Sequence, residues 1–198
     1  MKGYFVVATE SKLLIILAWV AYQLTKSLGI SVFNDSGVPH TLEHLIFMGS
    51  EKYPYKGVLD NLANRAFAAG TNAWTDTDHT AYTIETAGEQ GFLQFLPVFV
   101  DHILYPTLTN ASFVTEVHHI TPDAEDAGVV YSEMQGRENT SGDLSSLKQQ
   151  RLFYPKGSAY RSETGGLMEA LRKLTVEESE PSLSRRHCAL CRTLNFHP

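Results

Sequence analysis

The sequence predicts an α+β fold, in which a mainly antiparallel sheet is covered by helices. Segments with helical hydrophobic spacing are interrupted by two short strand-like runs near residues 72–75 and 80–86, separated by the turn Asp76-Thr77-Asp78. The 198 residues are 43% hydrophobic and 19% charged, a composition that suits a globular chain with a substantial core. Both observations favour a packed domain over a disordered or fibrous chain.

The N-terminal part, residues 1–34, combines a predicted strand over residues 3–9 with an atypical apolar segment. The segment at residues 13–24 reads LLIILAWVAYQL and contains one polar residue, Gln23. It is shorter than the roughly 20 apolar residues that a membrane-spanning helix needs. We therefore interpret it as a buried helix or as a segment foreign to the fold, and we expect no membrane span. An anchor at residues 13–24 is the competing interpretation.

The middle part, residues 35–178, holds the expected domain. Asp35 or Ser36 can cap a helix that carries His40 to Phe47, and the strand pair lies between the next two helices. Breaks such as Gly70 and Tyr105-Pro106 separate the predicted elements. Hydrophobic spacing and these breaks place the later helices at residues 58–69, 92–104, 112–120, 126–138, 144–152 and 167–174.

The C-terminal part, residues 179–198, has no hydrophobic period and we expect it to be unstructured. It contains the only two cysteines, Cys188 and Cys191, so a disulfide framework is excluded and a lone Cys-x-x-Cys is weak support for a metal site. The formal net charge is −6 with no basic stripe, which argues against a nucleic-acid partner. The cysteine usage favours an intracellular location, in the cytoplasm or a mitochondrion.

The most informative motif is His40-Thr41-Leu42-Glu43-His44. Histidines four residues apart lie on one face of a helix, so both imidazoles can converge on one zinc ion. Glu43 lies one step round the helix and can reach a metal-bound water without ligating the metal. This order of residues is a known signature of inverted-motif zinc peptidases. The alternative is an ordinary amphipathic helix that binds no metal. However, burying three polar side chains costs free energy unless they are paired or metal-bound.

A catalytic zinc site needs a third protein ligand. We favour Glu133, because in GVVYSEMQG it lies on the same helical face as the apolar residues Val129 and Val130. A solvated glutamate at a helix edge is the alternative. The acidic residues and histidines that compete for this position are Glu85, Asp101, His102, His118, His119, Asp126, Glu133 and Glu138.

Three blocks in order resemble the pitrilysin/insulinase-type metallopeptidases, closest to the branch of the presequence peptidases. They are DSGVPHTLEH from Asp35, GTNAWTDTDHTAYTI from Gly70 and GVVYSEMQG from Gly128. The similarity continues to about Glu178, so it covers roughly three quarters of the chain. It implies a half-barrel-type N-terminal domain of a zinc-dependent metalloendopeptidase that acts on extended peptides.

The resemblance also implies roles for individual residues. His40, His44 and Glu133 would bind one zinc ion, and Glu43 would be the general base that takes a proton from the zinc-bound water. Asp126 matches a position, usually glutamate, whose carboxylate orients a ligand histidine. Asn72 and Ala73 match the strand that pairs with the backbone of a peptide substrate.

Two departures from the family pattern bear on activity. Residues 11–34 have no counterpart, and we interpret them as unspliced or mis-assigned coding sequence. After Glu178 the family pattern expects the rest of this domain and further domains that complete a substrate chamber, so we expect the domain to be incomplete at its C-terminus. The alternative to an active endopeptidase is a truncated, non-catalytic zinc-binding or subunit-like member of the same family.

Overall fold

The computed structural model describes residues 13–17, 21–29 and 33–175. The α+β class is confirmed, since helices accompany a four-stranded sheet and a small two-stranded sheet. The described residues form two compact units. The first contains residues 13–17, 21–29, 46–74 and 79–107, and the second contains residues 33–45, 75–78 and 108–175.

Four strands form the larger sheet, namely β1 Leu13–Leu17, β2 Ala21–Gly29, β3 Ala68–Thr75 and β4 His79–Ala87. Their order in the sheet is β1-β2-β4-β3. Antiparallel pairing joins β1 to β2 and β2 to β4, and Leu24 lies opposite Ile84 in the second pair. The predicted strand pair is confirmed as β3 and β4.

The interpretation of residues 13–24 as a buried helix is wrong. Residues 13–17 form β1 and residues 21–24 belong to β2, which pairs with β4 along its whole length from Ala21 to Gly29. A short apolar run has no period that separates a buried strand from a buried helix. Here the described residues of the run belong to two strands, five of them to β1 and four to β2. Its proposed origin in unspliced sequence stays a prediction.

Two helices belong to the first unit, α2 (Val58–Arg65) and α3 (Glu89–Leu104). Apolar residues at helical spacing are buried on α3, among them Phe92, Phe95 and Phe99, as the sequence predicts. The predicted extension of α2 to residue 69 is wrong. Phe67 has a positive φ of 52°, which ends the helical conformation, and β3 begins at the next residue.

The second unit contains the motif helix and most of the C-terminal elements. Thr109 and Thr140 cap two of its helices, accepting hydrogen bonds from the backbone N–H groups of Ser112 and Asp143. A 3-10 turn at Ala159–Arg161 follows α6. The bounds are α1 Val38–Ile46, α4 Asn110–Glu116, β5 His119–Ile120, β6 Asp126–Ala127, α5 Val129–Arg137, α6 Ser141–Phe153 and α7 Met168–Leu171.

The chain around Gly128 differs from the prediction of one helix over residues 126–138. β6 pairs with β5, and α5 begins only after Gly128, which has a φ of +133°. A Cβ atom at Gly128 would lie 2.4 Å from the carbonyl oxygen of Val117. The pairing of residues 119–120 with residues 126–127 likewise ends α4 earlier than expected. Asp126 therefore lies on a strand and not on the helix that carries Glu133.

Several expectations fall outside what the structure describes, namely the strand at residues 3–9 and the tail at residues 179–198. The last helix, predicted over residues 167–174, is limited to α7. Among the described residues, no helix combines the length and the apolar character that crossing a membrane requires. The predicted domain boundaries stay predictions.

Candidate metal centre

Helix α1 carries the His-x-x-Glu-His motif on one face. His40 and Glu43 are buried, with 6% and 8% of their surface exposed, and the rings of His40 and His44 meet edge to face with centroids 4.8 Å apart. Each of His40, Glu43 and His44 offers one ligand atom, and these atoms lie within 4.8 Å of one another. Helical spacing thus produces the cluster that the motif predicts.

Glu133 on α5 reaches the same point from a distant part of the sequence. Its Oε2 atom lies 3.4 Å from Nε2 of His40 and 3.6 Å from Nε2 of His44. Ligands at 2.0–2.1 Å in a tetrahedral zinc site are separated by about 3.4 Å, because that is the edge of the tetrahedron. The donors, two imidazole nitrogens and one carboxylate oxygen, are those that zinc prefers. The residues present therefore fit a zinc ion.

The protonation equilibria of the cluster follow from this geometry. Burial alone would lower the pKa of His40, but the carboxylate of Glu133, helped by Glu43 and the Gly165 carbonyl, raises it above 6.5. Burial lowers the pKa of His44, and the charge of His40 lowers it further. The hydrogen bond with His40 lowers the pKa of Glu133 despite its partial burial. The imidazolium form of His40 and the carboxylate of Glu133 therefore stabilise each other.

Two groups face the opposite nitrogens of the imidazole rings. Nδ1 of His40 lies 3.3 Å from the carbonyl oxygen of Gly165, a hydrogen bond that leaves Nε2 for a metal. The Nδ1 atom of His44 lies 3.8 Å from Oε2 of Glu116, a buried carboxylate on α4. Glu116 is not among the site residues predicted from the sequence. The sequence signal for it is its place in a short helix, three positions after Phe113 and one before Val117, both apolar.

Glu43 has its own orienting group, which sequence analysis also missed. The hydroxyl of Thr75, at the end of β3, donates a hydrogen bond of 2.6 Å to Oε2 of Glu43. This contact fixes one carboxylate oxygen and leaves the other as an acceptor. The signal for Thr75 was its place in the block GTNAWT, where only Asn72 and Ala73 were selected.

The structure does not bring Asp126 to either ligand histidine. Its Oδ1 atom lies 2.7 Å from Nε2 of His118, and its Oδ2 atom accepts hydrogen bonds from Tyr131 at 3.0 Å and from Arg172 at 3.0 and 3.1 Å. Arg172, with help from His118 and Tyr131, lowers the pKa of Asp126 to about 2. The carboxylate next to a ligand histidine is Glu116 instead. These contacts involve neither His40 nor His44, and the orienting role expected of Asp126 stays a prediction.

The competing third-ligand candidates have other partners. His118 is hydrogen-bonded to Asp126, His102 contacts the carbonyl oxygen of Val98, and Glu138 accepts a hydrogen bond from the backbone N–H of Met168. These contacts give each of the three a local structural role. The structure thus favours Glu133 among the candidates that the sequence left open.

Asn72 and Ala73 belong to the first unit, where they lie on β3. In the part of the sheet that the structure describes, β3 is the last strand in the order, so one of its edges is unpaired there. Asn72 is exposed and its carbonyl oxygen accepts a hydrogen bond from the hydroxyl of Thr83 on β4. An edge strand is the element that a peptide can extend by pairing. The substrate-binding role of both residues stays a prediction.

Comparison with known proteins places this site in a family. The model of the insulinase family (peptidase family M16) matches residues 33–136. An uncharacterized protein of Caenorhabditis elegans is 57% identical over 140 residues, which are 71% of this chain and 14% of that protein. The mitochondrial presequence protease of Gibberella zeae is 33% identical over 164 residues, covering 75% of this chain and 16% of the relative.

A solved structure shows the same fold. The crystal structure of a protease from Helicobacter pylori superposes with a TM-score of 0.68 and 21% identity, covering 86% of this chain and 39% of that one. The chain belongs to the insulinase family of peptidases, M16. Within that family it belongs to the presequence-protease-like branch, which confirms the resemblance found in the sequence. It spans only about 14 to 16% of the length of the curated relatives described here.

Proposed function

We propose that this chain contributes the metal centre of a zinc-dependent metalloendopeptidase that hydrolyses extended peptides. The observation that carries the proposal is the approach of Glu133 Oε2 to the Nε2 atoms of both His40 and His44, at 3.4 and 3.6 Å. Membership of a peptidase family and the fit of the donor set to zinc support it. His40, His44 and Glu133 would hold the ion.

When bound, zinc supplies a Lewis acid that polarises the scissile carbonyl and lowers the pKa of a water molecule. The remaining chemistry falls to side chains of this chain. Glu43, held at Oε2 by Thr75, would accept the proton of the attacking water and later give it to the leaving amine. Asn72 and Ala73 on β3 would pair with the substrate backbone and hold it extended. No serine or cysteine nucleophile is needed.

The substrate class and the location are proposed at the same level. The similar protein of Gibberella zeae is a mitochondrial presequence protease by name, and we propose an intracellular location for this chain, in the cytoplasm or a mitochondrion. Because the chain spans a small part of its relatives, we propose that further domains of such proteins complete the surface that encloses a peptide. An isolated chain would then bind zinc while cleaving peptides slowly.

The decisive test separates metal binding from catalysis. Native mass spectrometry of the purified chain, with and without a chelator, is expected to show one zinc ion bound. Glu43→Gln keeps the size of the side chain but removes its basicity, so it should retain zinc and lower any peptide cleavage by at least roughly 100-fold. Thr77→Val, at an exposed turn, is a control that should change neither.

Each outcome has a separate meaning. Absence of bound zinc in the wild-type chain contradicts the metal centre. Cleavage unchanged by Glu43→Gln contradicts the assignment of the base. Zinc binding with no cleavage even when the chain is extended by the domains that its relatives possess would identify a non-catalytic member of the family.

A further inference from the structure

A clasp formed by Asp35 holds the segment at residues 163–167, the segment whose carbonyl contacts His40. The Oδ1 atom of Asp35 accepts a hydrogen bond of 2.8 Å from the backbone N–H of Glu163. Its backbone carbonyl accepts a bond of 3.0 Å from the N–H of Leu167. One residue therefore fixes both ends of the segment. All of these residues belong to the second unit.

The clasp is itself held in place by a charge. Arg151 on α6 donates a hydrogen bond of 2.9 Å to Oδ2 of Asp35, so both carboxylate oxygens are engaged. Within the segment, the side chain of Glu163 accepts a bond of 3.1 Å from the N–H of Gly165. The backbone between the two fixed ends thus has little freedom to turn. A carboxylate suits position 35, because each of its two oxygens accepts from one donor, an N–H and a guanidinium, whereas an amide would turn an NH₂ donor toward one of them.

Close backbone contact brings the segment to α1. Gly37 has a φ of +73°, and a Cβ atom there would lie 2.6 Å from the carbonyl oxygen of Gly165. The carbonyl oxygen of Gly37 in turn accepts the N–H of Thr41, in the first turn of α1. The same segment also lies against α5, since a Cβ atom at Gly165 would be 2.7 Å from the sulfur of Met134, the residue after Glu133. The segment therefore touches both helices that supply the cluster.

The chemical consequence concerns the tautomer of His40. A histidine can bind a metal through Nε2 only when that nitrogen carries no proton, and a carbonyl that accepts from Nδ1–H selects this form and fixes the ring. The carbonyl of Gly165 is placed to do this, 3.3 Å from Nδ1. We propose that Asp35 is a positioning residue, which presents the Gly165 carbonyl to His40 and so sets the affinity of the cluster for zinc. This inference rests on the proposed metal centre.

The test compares variants of the full chain by zinc affinity, measured by competition with a chromophoric chelator. Asp35→Ala removes the side-chain half of the clasp and is expected to weaken zinc binding roughly tenfold, within the range known for groups that orient metal ligands. Glu169→Ala is the matched control. It removes an exposed carboxylate paired with Lys173 on the helix that follows the segment, and it should leave the affinity unchanged.

A milder variant covers the case in which Asp35→Ala does not fold, which circular dichroism would reveal. Asp35→Asn keeps an acceptor for Glu163 but places an amide NH₂ against Arg151, so we expect an affinity loss of about threefold. Unchanged zinc affinity in a folded Asp35→Ala protein overturns the proposal. Where only Asp35→Asn folds, unchanged affinity in that variant overturns it.

A second measurement keeps this inference separable from the proposed function. Nitrogen NMR of the imidazole rings reports the tautomer of neutral His40 directly, and a metal-free Glu133→Ala background removes the carboxylate that would otherwise draw the proton to Nε2. In that background the proton is expected on Nδ1 when Asp35 is present and a mixture of tautomers is expected when Asp35→Ala is added, even if zinc does not bind. A proton on Nε2 with Asp35 present, or the same tautomer in both proteins, overturns the positioning role.

Discussion

Two histidine–carboxylate clusters lie close to α5, and they use similar residues in opposite ways. In one, Asp126 accepts hydrogen bonds from His118, Tyr131 and Arg172. Its lone pairs are occupied and a guanidinium lies beside it, so the local field repels a cation. We call it the saturated cluster, because its polar groups form hydrogen bonds with one another.

In the other cluster, three donor atoms point at one another. Oε2 of Glu133 faces the Nε2 atoms of His40 and His44, while the Nδ1 atoms of the two rings face Gly165 and Glu116. Gly165 and Glu116 lie on the far side of the two rings, so the lone pairs of the three donor atoms converge. We call this the converging cluster. Residue type alone therefore does not distinguish the two clusters. They differ in whether their acceptors are already satisfied by donors within the protein.

Removing one carboxylate from each cluster tests most directly whether the two clusters differ in metal binding. Glu133→Ala should weaken zinc binding by at least about 100-fold, because it deletes one of three protein ligands. Asp126→Ala should change zinc affinity by no more than about threefold while lowering the thermal midpoint, because its partners lose their common acceptor. Chelator competition and thermal denaturation measure the two effects.

The opposite pattern would contradict the assignment. A large loss of zinc affinity in a folded Asp126→Ala protein would restore the orienting role expected from the family resemblance. Unchanged affinity in Glu133→Ala would remove Glu133 from the ligand set.

A pH titration also distinguishes the two clusters, because protons compete with zinc at the converging cluster. The pKa of His40 is raised above 6.5, so loss of zinc affinity should begin above that pH as the solution is acidified. His44, whose pKa is lowered below 6.5, adds its own competition only at lower pH. We expect affinity to fall roughly tenfold per pH unit once His40 titrates. Dissociation constants measured between about pH 8 and about pH 5.5 test this.

The saturated cluster should respond to pH in a different range. The pKa of Asp126 is lowered from 3.8 to about 2, so its stabilising contribution is present above 3.8 and is lost as the pH falls through about 2. Zinc affinity that is constant across the range in which His40 titrates would contradict the competition at the converging cluster.

The smallest expected effect is on stability alone. Tyr131 is fully buried on α5 and its hydroxyl donates to Asp126. Tyr131→Phe should cost about 1–2 kcal/mol of unfolding free energy, because a hydrogen bond to a charged acceptor is lost. Urea denaturation would measure the loss. Zinc affinity should be unchanged, and a parallel loss of affinity would mean that the two clusters are coupled through α5.

How far the sequence predicts this molecule depends on the range of the interactions. The motif on α1 was predictable because residues at positions 40 and 44 share a helical face by local geometry alone. Helix α3 was predictable for the same reason, since its apolar residues repeat at helical spacing over several turns. Glu133 required more, because its meeting with α1 is a long-range contact. Its place on the apolar face of GVVYSEMQG and the order of the three family-like blocks are what indicate it.

The failures have physical causes of the same kind. The expectation of a buried helix at residues 13–24 fails because a short apolar run carries no periodicity, and because the pairing of residues 21–24 with β4 depends on distant residues. Asp126 was placed on the helix of Glu133 because spacing suggested it, whereas Gly128 ends β6 and redirects the chain. Glu116, Thr75 and the Gly165 carbonyl were missed because groups that orient a ligand have no sequence motif of their own.

The contact at Gly128 has a consequence for redesign of this cluster. A methyl group there would clash with the Val117 carbonyl oxygen, so the start of α5 is closely packed at Gly128. The position of Glu133 on α5 is set from that fixed point. If Glu133 binds the metal as proposed, we expect its exchange for histidine or aspartate to alter the preference among metals without moving α5. Insertion or deletion between positions 128 and 133 instead rotates the ligand off the shared face, by about 100° for each residue. We therefore expect the residue type at position 133 to tolerate exchange, whereas the number of residues between Gly128 and Glu133 should not.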